Sequence, residues 1–419
     1  MARVYEYQGK EALKEVGIAV PQSGCVETPE DAVKLARQIG KEVVLKAQVW
    51  ATGRFKAGGI KFAKTPEEAG EQAKQLLGAK IKGLEVNKIL VEEKIDIEKE
   101  LYAGIIISDS IKVKGAVLIV SSEGGVDLEE VAAESPEKVV KMNIDYADGI
   151  NAEEAKKLLA TLPIDQKYLD ELADIIYKLF KAFKAYDATA LEINPLVITK
   201  DKQLFAADCR LTIDDNSAFK HPEFGIKVPR DMDRPATKLE EIAWDMIEEG
   251  DYRGTGYFMQ MVPTYEGRSW IGFQGIGGGG AMLGASAFIN RGFKIANYAD
   301  TSGDPTASKV YMVIKSIFSL PIDAYVLMGS CLANQEQWHH AHAVVKALRE
   351  EAKDRPGLPV ILLLAGNKEK ESHEIIQNGL KGLPLRWELY GRDYIYNTDY
   401  IADRVEDLVR QYQLEKYGE

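Results

Sequence analysis

The sequence predicts an α/β protein of two domains, residues 1–238 and 239–419. Three observations point there. The chain, at 419 residues, exceeds what one ordinary core organises. Its first half mixes β-hairpins with amphipathic helices. Its second half alternates short apolar strands with helices, the pattern of a doubly wound parallel sheet covered on both faces. Between the halves, around 214–234, the chain turns polar and irregular, with Pro222, Pro229 and Pro235, as a domain boundary does.

Taken in order, residues 5–16 read as an amphipathic helix stopped by Gly17. Pro21 starts an extended segment. Thr28 caps a second helix, with Pro29 at its first position and Glu30 and Asp31 in its first turn. Residues 43–48 (VVLKAQ) form a short apolar strand carrying Lys46, and a glycine-rich stretch, 51–61, follows. Thr65-Pro66 opens a helix to about residue 77. Residues 88–92 are a strand. Residues 101–107 and 113–120 form a hairpin around Ser108-Asp109-Ser110, and 121–134 is a loop giving way to an acidic helix. Helices fill 152–162 and 168–183. A helix at 238–248 is either linker or the edge of the second domain. Strands and helices then alternate at 270–274, 281–290, 294–298, 306–317, 323–328, 334–351, 359–364, 371–379, 385–389 and 398–414. No internal repeat interrupts this order.

The stretch 190–211, ALEINPLVITKDKQLFAADCRL, is where the chemistry is placed. Val197, Ile198 and Thr199 favour a strand, as do residues 204–206, and Lys200-Asp201-Lys202 is a polar turn. Centring the turn on Asp201 sets Asn194 opposite Asp208 and Glu192 opposite Arg210. Residues two apart on a strand share a face, so all four lie together. A carboxylate beside an amide oxygen suits Mg²⁺, which takes few protein ligands and completes its shell with water and phosphate oxygens. The alternative is a half-buried hairpin with a polar face, and a slip of one residue in register removes the pairing.

Composition bounds the function. The apolar share of 46% and charged share of 28% are those of soluble globular protein. A net charge of −12 argues against a nucleic-acid or membrane-surface binder. No apolar run approaches the roughly 20 residues of a membrane span. The start, MARVYEYQGKEAL, lacks the apolar core of a secretory signal. Cys25, Cys209 and Cys331 are isolated and form no metal motif, which suggests a reducing cytoplasm.

Four further motifs carry chemistry. Residues 53–61, GRFKAGGIK, look like a phosphate-binding loop, in which glycines admit oxygens close to the backbone and flanking cations offset their charge. Gly59 and Ile60 stand where a Walker A loop requires Lys and Ser/Thr, so it is not one, and a mobile basic loop is the other reading. Lys46, shortly before, is either a snorkelling edge residue or a point charge aimed at phosphate. Glu92 and Glu100 flank a short connection, and a carboxylate there accepts both hydroxyls of a ribose, although most glutamates are merely solvated. Residues 275–280, GIGGGG, match G-x-G-x-x-G between a strand and a helix. That suggests a dinucleotide site with Asp300 on the ribose, or equally any anion at a helix N-terminus. A second such turn, 329–334, ends the strand at 323–328. His339, His340 and His342 invite a metal, but no Cys or carboxylate cluster completes a site, and a solvated helix face is the favoured reading.

Read together, these segments resemble the β subunit of succinyl-CoA synthetase and, behind it, the ATP-grasp fold. The resemblance rests on YEYQGKEAL, LKAQVWATGRFKAGGIK, ILVEEKIDIEKELYAG, SSEGGVDLEEVAAE and LEINPLVITK followed by AADCRL, in family order. It implies an ATP-grasp domain followed by a flavodoxin-like, CoA-ligase-type domain. By it, Lys46, Gly53, Arg54 and Phe55 contact nucleotide phosphates, Glu92 to Ile95 hold the adenine edge, and Glu100 holds the ribose. Asn194 and Asp208 hold Mg²⁺, and Glu192 steadies a phosphohistidine. In the second half GGGGAMLG, ANYADTSGDP and GSCLANQ look closer to ATP-citrate lyase and citryl-CoA synthetase. There a tricarboxylate sits against glycine-rich helix N-termini, and Gly278, Gly279, Gly280, Ser302, Gly303, Ser330 and Asn334 stand at matching places. The chain departs from that branch at 361–364, where the lyase has an arginine, and at Glu336, which replaces a hydroxyl residue.

The resemblance implies a mechanism in which ATP phosphorylates a histidine, the phosphoryl passes to a substrate carboxylate, and CoA attacks the acyl phosphate. Nothing here resembles the segment carrying that histidine. The expected protein is therefore the nucleotide-activating half of an ADP-forming acid–CoA ligase. It would act with an α-type subunit, as an α2β2 assembly, on citrate, or else on succinate or malate. An NAD-dependent oxidoreductase using the 275–280 loop is the reading from another class, and it leaves the first 240 or so residues unexplained. A non-catalytic partner-binding subunit would not need Lys46, Glu100, Asn194 and Asp208 together.

Overall fold

The structure is a computed structural model and describes residues 2–418 apart from 109, 111–114, 127, 231, 233 and 333. It divides into two compact units, Met1–Pro235 and Ala236–Glu419.

The first unit holds two larger antiparallel sheets and a two-stranded ribbon, Lys80–Ile81 with Leu84–Glu85. The larger runs in the order Ala2–Arg3, Cys209–Ile213, Ala188–Thr199, Ile97–Ser108, Gly115–Ser121, Val139–Ile144, with Leu204–Ala206 also on Ala188–Thr199. The smaller runs Ser23–Val26, Ile89–Glu93, Val43–Ala47, Ile60–Ala63. Helices Pro29–Ile39 and Pro66–Leu76 cover the smaller sheet. Each starts from a threonine cap, Thr28 or Thr65, whose hydroxyl accepts an N–H of the first turn, with proline at the first helical position. Helix Leu169–Ala185 buries Leu172, Ile176, Leu179 and Phe183 against the larger sheet. Helix Glu6–Glu15 lies on strand Cys209–Ile213, and Gly9 is what lets it approach. A Cβ there would stand 2.8 Å from the Cys209 sulfur. That close seat carries Glu6 and Lys10 into the interior.

The central hairpin forms in the counted register. Glu192 pairs with Arg210, Ile193 with Cys209, Leu196 with Ala206 and Ile198 with Leu204. Leu191 and Ile193 are buried on the core face, which turns Glu192 and Asn194 the other way. The ladder opens at Asn194 and Asp208, where the Ala207 N–H reaches the Pro195 carbonyl at 3.1 Å. The earlier hairpin joins Ile97–Ser108 to Gly115–Ser121. Asp109 of its expected turn and residues 113 and 114 of its expected second strand lie outside the described residues.

The second unit is a six-stranded sheet in the order Tyr257–Gln260, Lys294–Asp300, Trp270–Ile276, Ala324–Gly329, Pro359–Leu363, Arg386–Tyr390. Five strands are parallel, and counted along the chain their order is 2-1-3-4-5, the flavodoxin arrangement. The expectation of a purely parallel sheet is corrected by Tyr257–Gln260, which pairs antiparallel with Lys294–Asp300. Its four residues, between glycines and a polar loop, are too short to show a period. Helices Ala307–Phe318, Trp338–Glu351 and Glu369–Leu380 share the core of one face, and Gly278–Ile289 and Thr398–Tyr417 that of the other.

Candidate functional site

In the first unit a cavity of about 350 Å³ is lined by Arg54, Phe55, Glu192, Asn194, Asp208 and Arg210, among others. The hairpin supplies four of these from one face, as the strand period requires. Asn194 Oδ1 accepts the Gly125 N–H at 2.8 Å, and Asp208 Oδ1 accepts the Cys209 N–H at 2.7 Å. Asp208 Oδ2 takes the Arg54 guanidinium at 2.8 Å. One carboxylate and one amide oxygen are hard donors of the sparse kind Mg²⁺ takes. Among the described residues no group of three or more His, Cys, Asp and Glu stands together as a metal site.

Beneath this face lies a buried cluster of balanced charge. Glu6 receives Arg54 at 2.6 Å, Lys46 at 3.0 Å and Lys10 at 3.1 Å. Glu92 receives Lys46 at 2.8 Å and also Lys10. Burial works to raise the Glu6 carboxyl, but Arg54, Lys46 and Lys10 outweigh it and hold the group well below the usual carboxylate range. Burial likewise opposes the Lys46 charge, and Glu6, Glu92 and Asp208 more than restore it. Burial and the nearby Glu6 push the Asp208 carboxyl up. Glu92, one of the residues expected at a nucleotide base, is thus 3% exposed and ion-paired. Ile95 and Glu100 are not in the cavity lining, though Glu100 packs against Gly125, whose N–H meets Asn194. Gly53 and the exposed Phe55 sit at the mouth.

Glu192 stands 3.6 Å from Arg210 and accepts the Tyr102 hydroxyl, whose proton burial and Glu192 hold tightly. Sequence reasoning misses Glu6, Lys10 and Tyr102. Glu6 and Lys10 are four apart on a helix, a spacing that reads as a solvated pair, and the phenol of Tyr102 sits inside an apolar strand.

In the second unit the expected substrate residues all fall at the carboxyl ends of the first three parallel strands, on loops or in the first turn of a helix, beside the point where strand order reverses. Gly277, at φ 90°, turns the chain sharply into helix Gly278–Ile289, which has no side-chain cap, so Gly278, Gly279 and Gly280 present its free first-turn N–H groups. Asp300 does not wait for a ribose. Its carboxylate accepts the Gly277 N–H at 3.1 Å and the Ser302 hydroxyl at 2.9 Å. Gly303 follows at φ 75°. The Ser330 N–H and hydroxyl both donate to the Ile276 carbonyl.

Two expectations are corrected here. The helix expected from 334 starts at Trp338, so Ser330 and Asn334 lie in a loop and not at a helix N-terminus. Asn334 sits in a turn, with the Gln335 N–H on the Leu332 carbonyl at 3.4 Å, and a parallel bridge ties Glu336 to Asn367. The histidine run is not a wholly solvated face either. His342 is exposed, but His340 is fully buried, with Nε2 3.0 Å from the Thr301 carbonyl and 2.9 Å from its hydroxyl.

Comparison with known proteins agrees with this architecture. Residues 3–198 match the ATP-grasp domain model, and residues 244–403 match the model for the citrate-binding region of ATP citrate lyase. The GDP-forming succinate–CoA ligase β subunit of Thermus thermophilus is 38% identical over 374 residues, 89% of this chain and 93% of that protein. The ADP-forming β subunit of Methanothermobacter thermautotrophicus is 32% identical over 387 residues, 92% and 96% of the two chains. Among solved structures, ATP citrate lyase from Methanothrix soehngenii, in complex with citrate and coenzyme A, superposes with a TM-score of 0.76. It is 19% identical, and the match covers 96% of this chain and 99% of that one, a likeness of fold. An ATP-grasp unit followed by a flavodoxin-like unit thus defines a subunit of a nucleotide-dependent acid–CoA ligase. The chain belongs to the succinate–CoA ligase β-subunit family. Among the described residues no helix is long and apolar enough to cross a membrane.

Proposed function

We propose that the chain is the nucleotide-activating subunit of a cytoplasmic citrate–CoA ligase, converting citrate, CoA and ATP to citryl-CoA, ADP and phosphate with an α-type partner, as an α2β2 assembly. The observation that carries the ligase chemistry is the convergence of Arg54, Asn194, Asp208 and Glu192 on one cavity beside the Gly53 loop. In this reading Lys46, Gly53, Arg54 and Phe55 bind the phosphates, Glu92 to Ile95 the adenine edge and Glu100 the ribose. Asn194 and Asp208 would hold Mg²⁺, which would offset charge on the transferring phosphoryl group. A histidine nitrogen of the partner takes the γ-phosphoryl as ADP leaves. Glu192, a carboxylate oriented by Tyr102 and Arg210, stabilises the cationic ring. The phosphoryl then moves to a citrate carboxylate, and the CoA thiolate displaces phosphate from the acyl phosphate.

Citrate is favoured by the match of residues 244–403 to the citrate-binding model and by the first-turn N–H groups of Gly278–Gly280, with Ser302, Gly303, Ser330 and Asn334 on the loops beside them. Strand Pro359–Leu363 and Leu364 carry no cation, so recognition rests on neutral donors or on a cation from the partner. Succinate is the second reading, favoured by the names of the relatives. The test is ADP release by the chain with its α-type partner, Mg²⁺ and CoA, offering citrate, succinate and malate separately. Citrate should turn over fastest. Faster turnover of succinate would return the chain to the succinate branch, and acyl-CoA formation without the partner would refute the half-enzyme reading.

A further inference from the structure

Lys46 and Lys10 share the same three acceptor groups, Glu6, Glu92 and the Ala207 carbonyl. Lys46 Nζ lies 3.0 Å from Glu6 Oε1, 2.8 Å from Glu92 Oε1 and 2.6 Å from the Ala207 carbonyl. Lys10 Nζ meets Glu6 Oε1 at 3.1 Å, the Ala207 carbonyl at 2.7 Å and the other oxygen of Glu92. An ammonium has three donors and no more. Lys46 is therefore saturated from within, and a phosphate oxygen reaches it only if one of these acceptors lets go. Releasing a buried carboxylate is costly when it is left unpaired. Here it is not left unpaired, because Lys10 already holds both carboxylates and the carbonyl. Lys10 is also the more enclosed, with its side chain 1% exposed against 10% for Lys46. It comes from helix Glu6–Glu15, whereas Lys46 comes from strand Val43–Ala47, next to the glycine loop.

We infer that Lys10 is a positioning residue of the nucleotide site, a resident counter-ion that satisfies Glu6 and Glu92 when Lys46 transfers its donors from them to a nucleotide phosphate. Glu6 is correspondingly an internal stand-in for phosphate, holding Lys46 and Arg54 until nucleotide arrives. The inference rests on the proposed assignment of Lys46 to phosphate.

The test is calorimetric binding of Mg·ADP to the whole chain, alone and with its α-type partner, in four forms. Wild type binds. Lys10→Met should weaken binding by about tenfold, because Lys46 becomes the sole counter-ion of two buried carboxylates and is pinned to them. Glu6→Gln should bind at least as tightly as wild type, since it removes one competitor. Lys10→Met/Glu6→Gln should recover to within about threefold of wild type, a rescue by a second lesion in the same network that a merely structural role does not produce. Unchanged binding in Lys10→Met, a double variant as weak as Lys10→Met, or a tenfold loss in Glu6→Gln overturns the inference. Should Lys10→Met not fold, Glu6→Gln and the double variant decide it by the same criteria. A wild type that binds no Mg·ADP sinks the nucleotide reading itself, which is a separate failure.

Discussion

Mild acid should loosen the second unit through one imidazole. His340 is completely enclosed, its Nε2 against Thr301 and its Nδ1 3.4 Å from the Gln335 amide. Burial, helped by the neighbouring His339, pulls its pKa from the ordinary 6.5 down to about 4, against the hydrogen bond to Thr301 and the charge of Asp304. Because the folded value lies below the unfolded one, the unfolded chain takes up the proton first. Stability is complete above pH 6.5 and is lost as the pH falls toward 4. Between pH 7 and pH 5 the loss from this one group comes to about 2 kcal/mol. His340→Gln keeps a donor and an acceptor and removes the titration. Urea unfolding followed by tryptophan fluorescence reports this unit, since Trp244, Trp270, Trp338 and Trp387 all belong to it and Trp50 alone does not. The pH-dependent loss in wild type should exceed that in His340→Gln by about 2 kcal/mol. Equal losses would mean that His340 is either exposed or charged in the fold, and the reasoning would fail.

Asp208→Asn should weaken the Mg²⁺-dependent part of nucleotide binding and spare binding of bare nucleotide, and equal affinity at saturating Mg²⁺ would remove the metal assignment. Glu192→Gln, assayed with the partner, should lower histidine phosphorylation at unchanged nucleotide affinity, and full phosphorylation would show that the charge is not needed. Asn334→Ala should raise the KM for citrate more than that for ATP, whereas parallel rises would point to a general loosening of the loop. Gly277→Ala should cost about 1–3 kcal/mol in thermal or urea unfolding. Its φ of 90° is hostile to a side chain, and a Cβ would stand 2.5 Å from the Ser330 hydroxyl. A silent substitution there would mean that the turn tolerates a side chain and is looser than its dihedral implies.

Features set by local periodicity are legible in the sequence. The hairpin register follows from the polar turn at Asp201 and the strand period, so counting alone puts Glu192, Asn194, Asp208 and Arg210 on one face. The alternating second half likewise foretells the parallel sheet, but not strand Tyr257–Gln260, whose place at an edge is decided by pairing and not by pattern. Long-range burial is not legible. Glu6 and Lys10 look like surface residues until Gly9 seats their helix on Cys209, and His340 looks solvated until helix Trp338–Glu351 turns it under Thr301. Asn334 suits a helix start in sequence, because the residues around it permit one. The bridge between Glu336 and Asn367 ties the chain just after it to a neighbouring loop instead, and the helix begins only at Trp338.

The ties among the three strand-end loops of the second unit bear on how any ligand is received there. Asp300 fastens the second loop to Gly277 of the first, and Ser330 fastens the third to Ile276. The scaffold is thus braced before a ligand arrives, and little backbone entropy remains to be surrendered on binding. Such a crevice selects by fixed spacing. A ligand whose acceptors match the interval between the loops is held at once, and one that is a bond too short touches one loop at a time.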